Sequence, residues 1–520
     1  MFGRRGAVCT SQPLAAQAGM SVLQAGGNAI DAAIATAIAL TVVEPTSNGI
    51  GSDAFCLVWS GGKLHGLNAS GRAPAAANLQ AFLALGHNKV PELGWLGVTV
   101  PGAVSAWVEL HEKFGRIAFA ELFKPAISLA EQGFPVGPVV ARFWAEAKKD
   151  YSGLPDTPAH DGWFTTFAPN GRTPEVGEIV CLPDHAATLA KIADSNGRTF
   201  YEGDVAAAID AFSASTGGLI RGDDLAAHEA TWVEPIGTNY RGFDVWEIPP
   251  NGQGVTALNA LNIVEGFDLS AAERDDPYTW HLQIESIKLA FADARAYIAD
   301  PDSVDVPVNG LLDKTYAATR RGLISDSASL PEPGDPPRGG TVYLCTADAD
   351  GNMVSFIQSN YQGFGSGIVV PGTGIALQNR GANFSLDPSH PNALAPGKRP
   401  YHTIIPGFLT KDGSPIGPFG VMGGFMQPQG HMQVVMHTVD HHLNPQAALD
   451  APRWRWEHGR VVWIEDRTPP EIVEALKARG HDVRIIREPS AFGRGQIIWR
   501  QGDTLIAASE SRADGQALVW

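Results

Sequence analysis

The chain has 520 residues, with 38 Lys and Arg against 55 Asp and Glu, giving a formal net charge of −17. Hydrophobic residues make up 44% and charged residues 18%, a globular composition and not a disordered one. The acidic balance argues against nucleic acid or an anionic membrane as the main partner. A chain of this length can bury a large core without disulfide or metal staples.

The opening residues carry Arg4-Arg5, but no apolar stretch follows within reach, so no secretory signal is read and cytoplasm is the expected compartment. The segment Leu23–Asp31 carries a Gly-Gly break between two helical patterns. The run Ala32–Val43 is apolar except for Thr36 and Thr41; it is too short to span a bilayer and predicts a buried helix. A second glycine cluster, Asn48–Ser52, leads into the strand-like run Ala54–Trp59. Residues 120–235 read as helices with polar loops, and 278–299 carry a long helical period. Four cysteines (Cys9, Cys56, Cys181, Cys345) form no CxxC pair and are expected as reduced, buried thiols.

The composition changes sharply at 325–340. SDSASLPEPGDPPRGG is Pro-rich, has Leu330 as its only large apolar residue and ends in Gly339-Gly340, so it is expected as an exposed loop. Strand-like text follows at Thr341–Ala347 and again at Met353–Ser359, around an Asp350-Gly351 turn. Two such runs predict a β-hairpin. A two-residue loop places Thr341 opposite Asn360; a one-residue slip places it opposite Ser359. Either way a hydroxyl at the start of a strand gains a polar neighbour.

No G-x-S-x-G elbow, H-E-x-x-H or Walker A motif is present. Gly363–Gly367 suggests a phosphate loop, but Ile368–Pro371 follows where a helix would be needed. His437 and His441 have i, i+4 spacing, yet no third ligand completes a zinc motif, so neither metal nor cofactor is expected.

At Thr341 the chain resembles the γ-glutamyltranspeptidases, a family of N-terminal nucleophile hydrolases, and in particular their acylase-like branch. The resemblance rests on Gly340-Thr341, Asp350-Gly351-Asn352, Phe364–Ile368, Gly374–Asn379, Asn383–Ser385, Lys398–Pro400, Lys411–Gly413, Gly423-Gly424 and Ala451–Arg453. Upstream it includes Gly26–Ala33, Pro101-Gly102 and Lys288–Asp293, so it spans most of the chain in order. It implies an α+β fold, a four-layer αββα sandwich. It also implies an inactive precursor that cuts itself between Gly340 and Thr341. Residues 1–340, ending in the 325–340 cleavage-site loop, would form a large (α) subunit segment, and 341–520 a small (β) segment carrying the nucleophile; the two would stay associated.

The resemblance implies a site as well. Thr341 would be nucleophile, and its freed α-amine, with an ordinary pKa of about 7.7–8.0, would take the hydroxyl proton. Ser359 would support it, and the amides of Gly423 and Gly424 would hold the oxyanion. Arg72 would meet the substrate's α-carboxylate. Departures from the family pattern fall on the donor subsite: Asn383 for an Asp, Arg380 for a Gln, Tyr361 for an Asn, and His402-Thr403 for a Ser pair. Losing an acid and gaining Arg380 disfavours an ammonium and favours a carboxylate. The expected substrate is a small amide of γ-glutamyl (glutathione) type, with water or an amine or peptide as acceptor. A glutaryl or cephalosporin acylase with little need for the α-amino group is the alternative, and a non-catalytic, unprocessed relative a further one.

Overall fold

The computed structural model describes residues 1–155, 157–269, 272–330 and 340–520. Of the expected cleavage loop, 331–339 lie outside the described residues.

Two seven-stranded sheets form the centre. The first runs, edge to edge, Gln516–Val519, Gly6–Thr10, Gly340–Asp348, Met353–Tyr361, Asp53–Ser60, Lys63–Ala69 and Thr231–Val233. The second runs Phe2–Gly3, Thr504–Ser509, Arg494–Gln501, Ser414–Met422, Gly407–Lys411, Phe243–Glu247 and Ile236–Tyr240. Both are antiparallel throughout.

The two-residue period of a strand decides which residues fill which layer. Along the strand Gly340–Asp348, Tyr343, Cys345 and Ala347 point inward, packing with Phe55, Leu57 and Ile357 against Phe408, Met422 and Ile498 of the second sheet. The intervening Val342 and Leu344 point outward with Val354 and Phe356, onto the helices of the first half. On the far side, Val245, Leu409, Phe419 and Ile497 meet the helices Gly254–Glu265, Pro277–Tyr297 and Met426–Val439. The result is the helix–sheet–sheet–helix stack. Both faces of each sheet are covered, so its strands read as mixed apolar runs instead of clean alternation.

The run expected as a buried helix is Ala29–Val43, and every one of its residues is buried. A helix apolar all round belongs inside a large core. Asn28 starts it: its Oδ1 accepts from the Ile30 and Asp31 amides at 2.9 Å, while Asp31 accepts the Asn28 amide at 3.0 Å. Asp348 Oδ2 takes the Ala29 amide at 2.9 Å, which ties this helix to the far end of the strand Gly340–Asp348. The long helical period appears as Pro277–Tyr297. Three of the four thiols are buried as expected, but Cys181 is exposed, because it sits in the turn between a two-residue edge strand and a surface helix.

Candidate active site

The hairpin loop is three residues and not two. Met353 pairs with Ala347, and Asp348 holds the turn by accepting the Asn352 amide at 3.0 Å on Oδ1 and its Nδ2 at 2.8 Å on Oδ2. Gly351 takes the left-handed conformation that this loop type needs (φ +89°). The register is therefore shifted by one from a two-residue loop. It is corrected by a bulge at the other end: Gly340 pairs with Tyr361 and Val342 with Gln358, so Thr341 faces both Ser359 and Asn360. Asn360 turns away, its Oδ1 accepting from Ser52 Oγ at 2.8 Å. Ser359 turns in, and its Oγ lies 3.1 Å from Thr341 Oγ1. Both hydroxyls are buried.

Ser359 Oγ is a junction. It also accepts the Tyr361 amide at 2.8 Å and Arg380 Nη2 at 3.2 Å. Arg380 opens a short 3-10 turn, Arg380–Asn383, and is completely buried. Its Nη1 donates to Thr403 Oγ1 at 2.6 Å, and its guanidinium stacks on the Tyr361 ring at 4.4 Å. Tyr361 holds that ring in place from a left-handed backbone (φ +78°), an uncommon conformation for an aromatic residue. Burial lowers the Arg380 pKa to about 10 and raises that of the Tyr361 phenol. Arg380 Nε, Tyr361 Oη and Asn383 Nδ2 are buried with no hydrogen-bond partner. Buried polar atoms are normally paired, so Tyr361, Arg380 and Asn383 make a candidate receptor for a polar ligand.

His402 does not reach this receptor with a free ring nitrogen. Its Nδ1 accepts the Ile404 amide at 3.3 Å, so Nε2 carries the proton and donates to Asp53 Oδ2 at 3.0 Å. Burial, and next Arg380, push its pKa well below the usual range, so the ring is neutral. Arg72 is likewise engaged: Nη1 meets Asp300 at 3.2 Å and the Gly397 carbonyl at 3.0 Å, and Nη2 meets Asp302 at 2.6 Å. The guanidinium that touches the Thr341–Ser359 pair is Arg380.

Gly423 (φ +132°) and Gly424 (φ +60°) form the turn between the strand Ser414–Met422 and the helix Met426–Val439, a backbone path that favours glycine. Gln253 pins this turn to the receptor. Its Nε2 donates to Thr403 O at 2.5 Å and Gly424 O at 3.0 Å, while Oε1 accepts from Tyr401 Oη at 3.1 Å. Gln253 and Asp53 were not legible as site residues. Each lies far along the chain from its partners, and the only local signal was the glycine cluster before Asp53.

A metal-like group lies elsewhere. His281, Glu285 and His481 bring ligand-type atoms within 4.8 Å of one another. The position is already filled: Lys288 Nζ donates to Glu285 Oε1 at 2.6 Å, and the two imidazoles meet at 2.9 Å. This cluster instead holds the start of the expected cleavage loop, with His281 Nε2 on Ser325 O at 2.7 Å and Lys288 on Ser329 O at 3.1 Å. His437 and His441 lie with ring centres 6.0 Å apart, but the helix ends at Val439, so they share no regular helical face.

Comparison with known proteins agrees with this fold. The sequence profile of the family described as Gamma-glutamyltranspeptidase matches residues 15–520. A solved cephalosporin acylase from Bacillus halodurans is 57% identical with a TM-score of 0.97, covering 100% of this chain and 96% of its own. The glutathione hydrolase-like YwrD proenzyme of Bacillus subtilis (strain 168) is 35% identical over 530 residues, 100% of this chain and 99% of that protein. The acylase ACY 1 proenzyme of Pseudomonas sp. (strain SE83) is 34% identical over 536 residues, 99% of this chain and 93% of that protein.

Proposed function

Since the chain belongs to the gamma-glutamyltranspeptidase family, we propose that it is made as a precursor and cuts itself between Gly340 and Thr341. Segments 1–340 and 341–520 then work together as an amidase or acyltransferase. In the precursor the Thr341 hydroxyl attacks the Gly340 carbonyl, the peptide nitrogen leaves as the new α-amine, and water hydrolyses the ester. In turnover that amine takes the Thr341 proton, directly or through a water. Oγ1 then forms an ester with the acyl group, and the leaving amine departs with a proton. Water or an acceptor amine releases the acyl group. The Gly423 and Gly424 amides are assigned to the oxyanion, a donor of this kind being worth about 3–4 kcal/mol.

The donor reading rests on one observation: a fully buried guanidinium, Arg380, touches the hydroxyl beside the nucleophile. A γ-glutamyl-type acyl chain ends in a carboxylate that suits Arg380 Nε, and Tyr361 Oη and Asn383 Nδ2 are further buried atoms without a partner. An ammonium on the same carbon meets a cation and no Asp at 383. Donors such as glutaryl amides are therefore favoured over γ-glutamyl amides, in keeping with acylases among the relatives. The test compares glutaryl- and γ-glutamyl-p-nitroanilide, alongside N-terminal sequencing of the purified protein. Chains of 340 and 180 residues, the shorter beginning at Thr341, with a higher kcat/KM for glutaryl, are expected. A single intact chain that stays active as Thr341→Ala would overturn the mechanism; a strong γ-glutamyl preference would overturn the donor reading alone.

A further inference from the structure

Arg380 is a buried cation, and among the described residues no carboxylate stands within ion-pair distance of it. It donates hydrogen bonds to two hydroxyls, those of Thr403 and Ser359. An unbalanced guanidinium in a dry site is costly, so a counter-charge must act from nearby. Asp53 supplies it. Asp53 begins the strand Asp53–Ser60 and is the direct cross-strand partner of Ser359, so the two side chains share one face of the sheet.

The Asp53 carboxylate is itself fully buried and surrounded by donors. Oδ1 accepts the Gly71 amide at 2.9 Å and Gln378 Nε2 at 2.8 Å; Oδ2 accepts His402 Nε2 at 3.0 Å. This set suits an ionised, acceptor-only carboxylate. The charged or titratable groups that sense it are Arg380, His402, Arg399 and Tyr201. His402 is neutral, so Arg380 is the principal cation facing it.

We propose that Asp53 is a positioning residue of the acyl pocket: it balances Arg380 from a distance, which keeps the guanidinium charged while leaving its remaining donors open to the carboxylate of an incoming acyl chain. A direct ion pair, such as the one that engages Arg72, would occupy those donors. The inference rests on the donor reading above and adds a consequence to it. When a donor carboxylate docks, Arg380 faces two anions, and Asp53 becomes the one in excess. Burial already pushes the Asp53 pKa up to about 7, with Arg380 the main influence opposing it. Docking weakens that opposition, so Asp53 takes up a proton as the anionic donor binds. The proton comes from solvent and returns on product release; no bond to substrate forms.

The test follows KM for glutaryl-p-nitroanilide and for uncharged butyryl-p-nitroanilide from about pH 6 to about pH 8. Both donors share the Thr341 chemistry, so their KM ratio cancels the titration of its amine. The ratio is expected to rise about threefold or more toward high pH in the parent enzyme, and to stay flat in Asp53→Asn. Calorimetry of glutarate binding to the parent near pH 7, in two buffers of different ionisation enthalpy, should show net proton uptake, and this needs no variant to fold. For Asp53→Asn, glutarate should raise the melting temperature more than it does for the parent, since it replaces the missing counter-charge. A flat parent ratio without proton uptake would overturn the role of Asp53 while leaving Thr341 catalysis standing. An enzyme that does not hydrolyse the glutaryl donor at all would count instead against the donor reading.

Discussion

Replacing Ser359 with Ala removes one oxygen from a place that water does not reach. The Oγ accepts the Tyr361 amide at 2.8 Å and Arg380 Nη2 at 3.2 Å, and Ser359, Tyr361 and Arg380 are each 0% exposed. Each donor left unpaired costs about 1–3 kcal/mol, the charged one more, for a loss of about 3–5 kcal/mol. Unfolding entropy of about 2.1 cal/mol/K per residue makes this a fall of only about 3–5 °C in melting temperature for so long a chain. The kinetic effect should be larger. Thr341 Oγ1 loses the neighbour 3.1 Å away that fixes its rotamer, and Arg380 loses one of its two anchors. A fall in kcat of about 10²–10³ is expected, with precursor cleavage slowed as well. Calorimetry, a denaturing gel over time and steady-state kinetics on glutaryl-p-nitroanilide measure the three effects, and Ser359→Thr, which keeps a hydroxyl, should recover part of each. If Ser359→Ala cleaves normally and keeps kcat within about threefold of the parent, the hydroxyl junction is not what orients the nucleophile.

Tyr361→Phe keeps the ring beneath Arg380 and deletes an orphaned hydroxyl, so the melting temperature should hold or rise slightly while KM for the glutaryl donor increases about 3–10-fold; an unchanged KM would remove Oη from the receptor. Lys288→Met leaves Glu285 buried without its cation and should cost about 3–5 kcal/mol, with faster proteolysis within 325–330. Adding Glu285→Gln should restore part of that stability, and purely additive losses in the double variant would contradict a coupled ion pair. Glu510, buried against Arg453 at 2.8 Å and Arg512 at 2.5 Å, has its pKa pushed up by burial to about 7. Between its unfolded value near 4.5 and about 7 the folded chain holds the extra proton, so this group's contribution to stability falls as pH rises through that window. Glu510→Gln should flatten that part of the melting-temperature profile, and an equal slope in parent and variant would refute the assignment.

The sequence alone determined features that depend on neighbours in the chain. Ala32–Val43 is helical and buried because its residues, Thr36 and Thr41 apart, are apolar on every side, and Asn28 with Asp31 caps the helix start. A hairpin after a Pro-rich loop follows from two β-rich runs around an Asp-Gly turn, and it already placed a Thr at a strand start beside a polar side chain, Asn360 or Ser359. The order of motifs carried the family. Tertiary structure decided what depends on distance in space. The one-residue register shift, set by Asp348 capping a three-residue turn, brought Ser359 opposite Thr341; the bulge added Asn360 there, and Ser52 holds Asn360 away while Ser359 turns in. Arg72 and Arg380 look alike as isolated arginines. Two carboxylates from residues 300 and 302 occupy the first, while the second is left with hydroxyls and an aromatic face. Asp53 and His402, 349 residues apart, become a buried pair only when the first sheet and the 398–406 loop close on each other. Side-chain chemistry is local to the residue, but charge, burial and the number of donors left open are properties of the packed site.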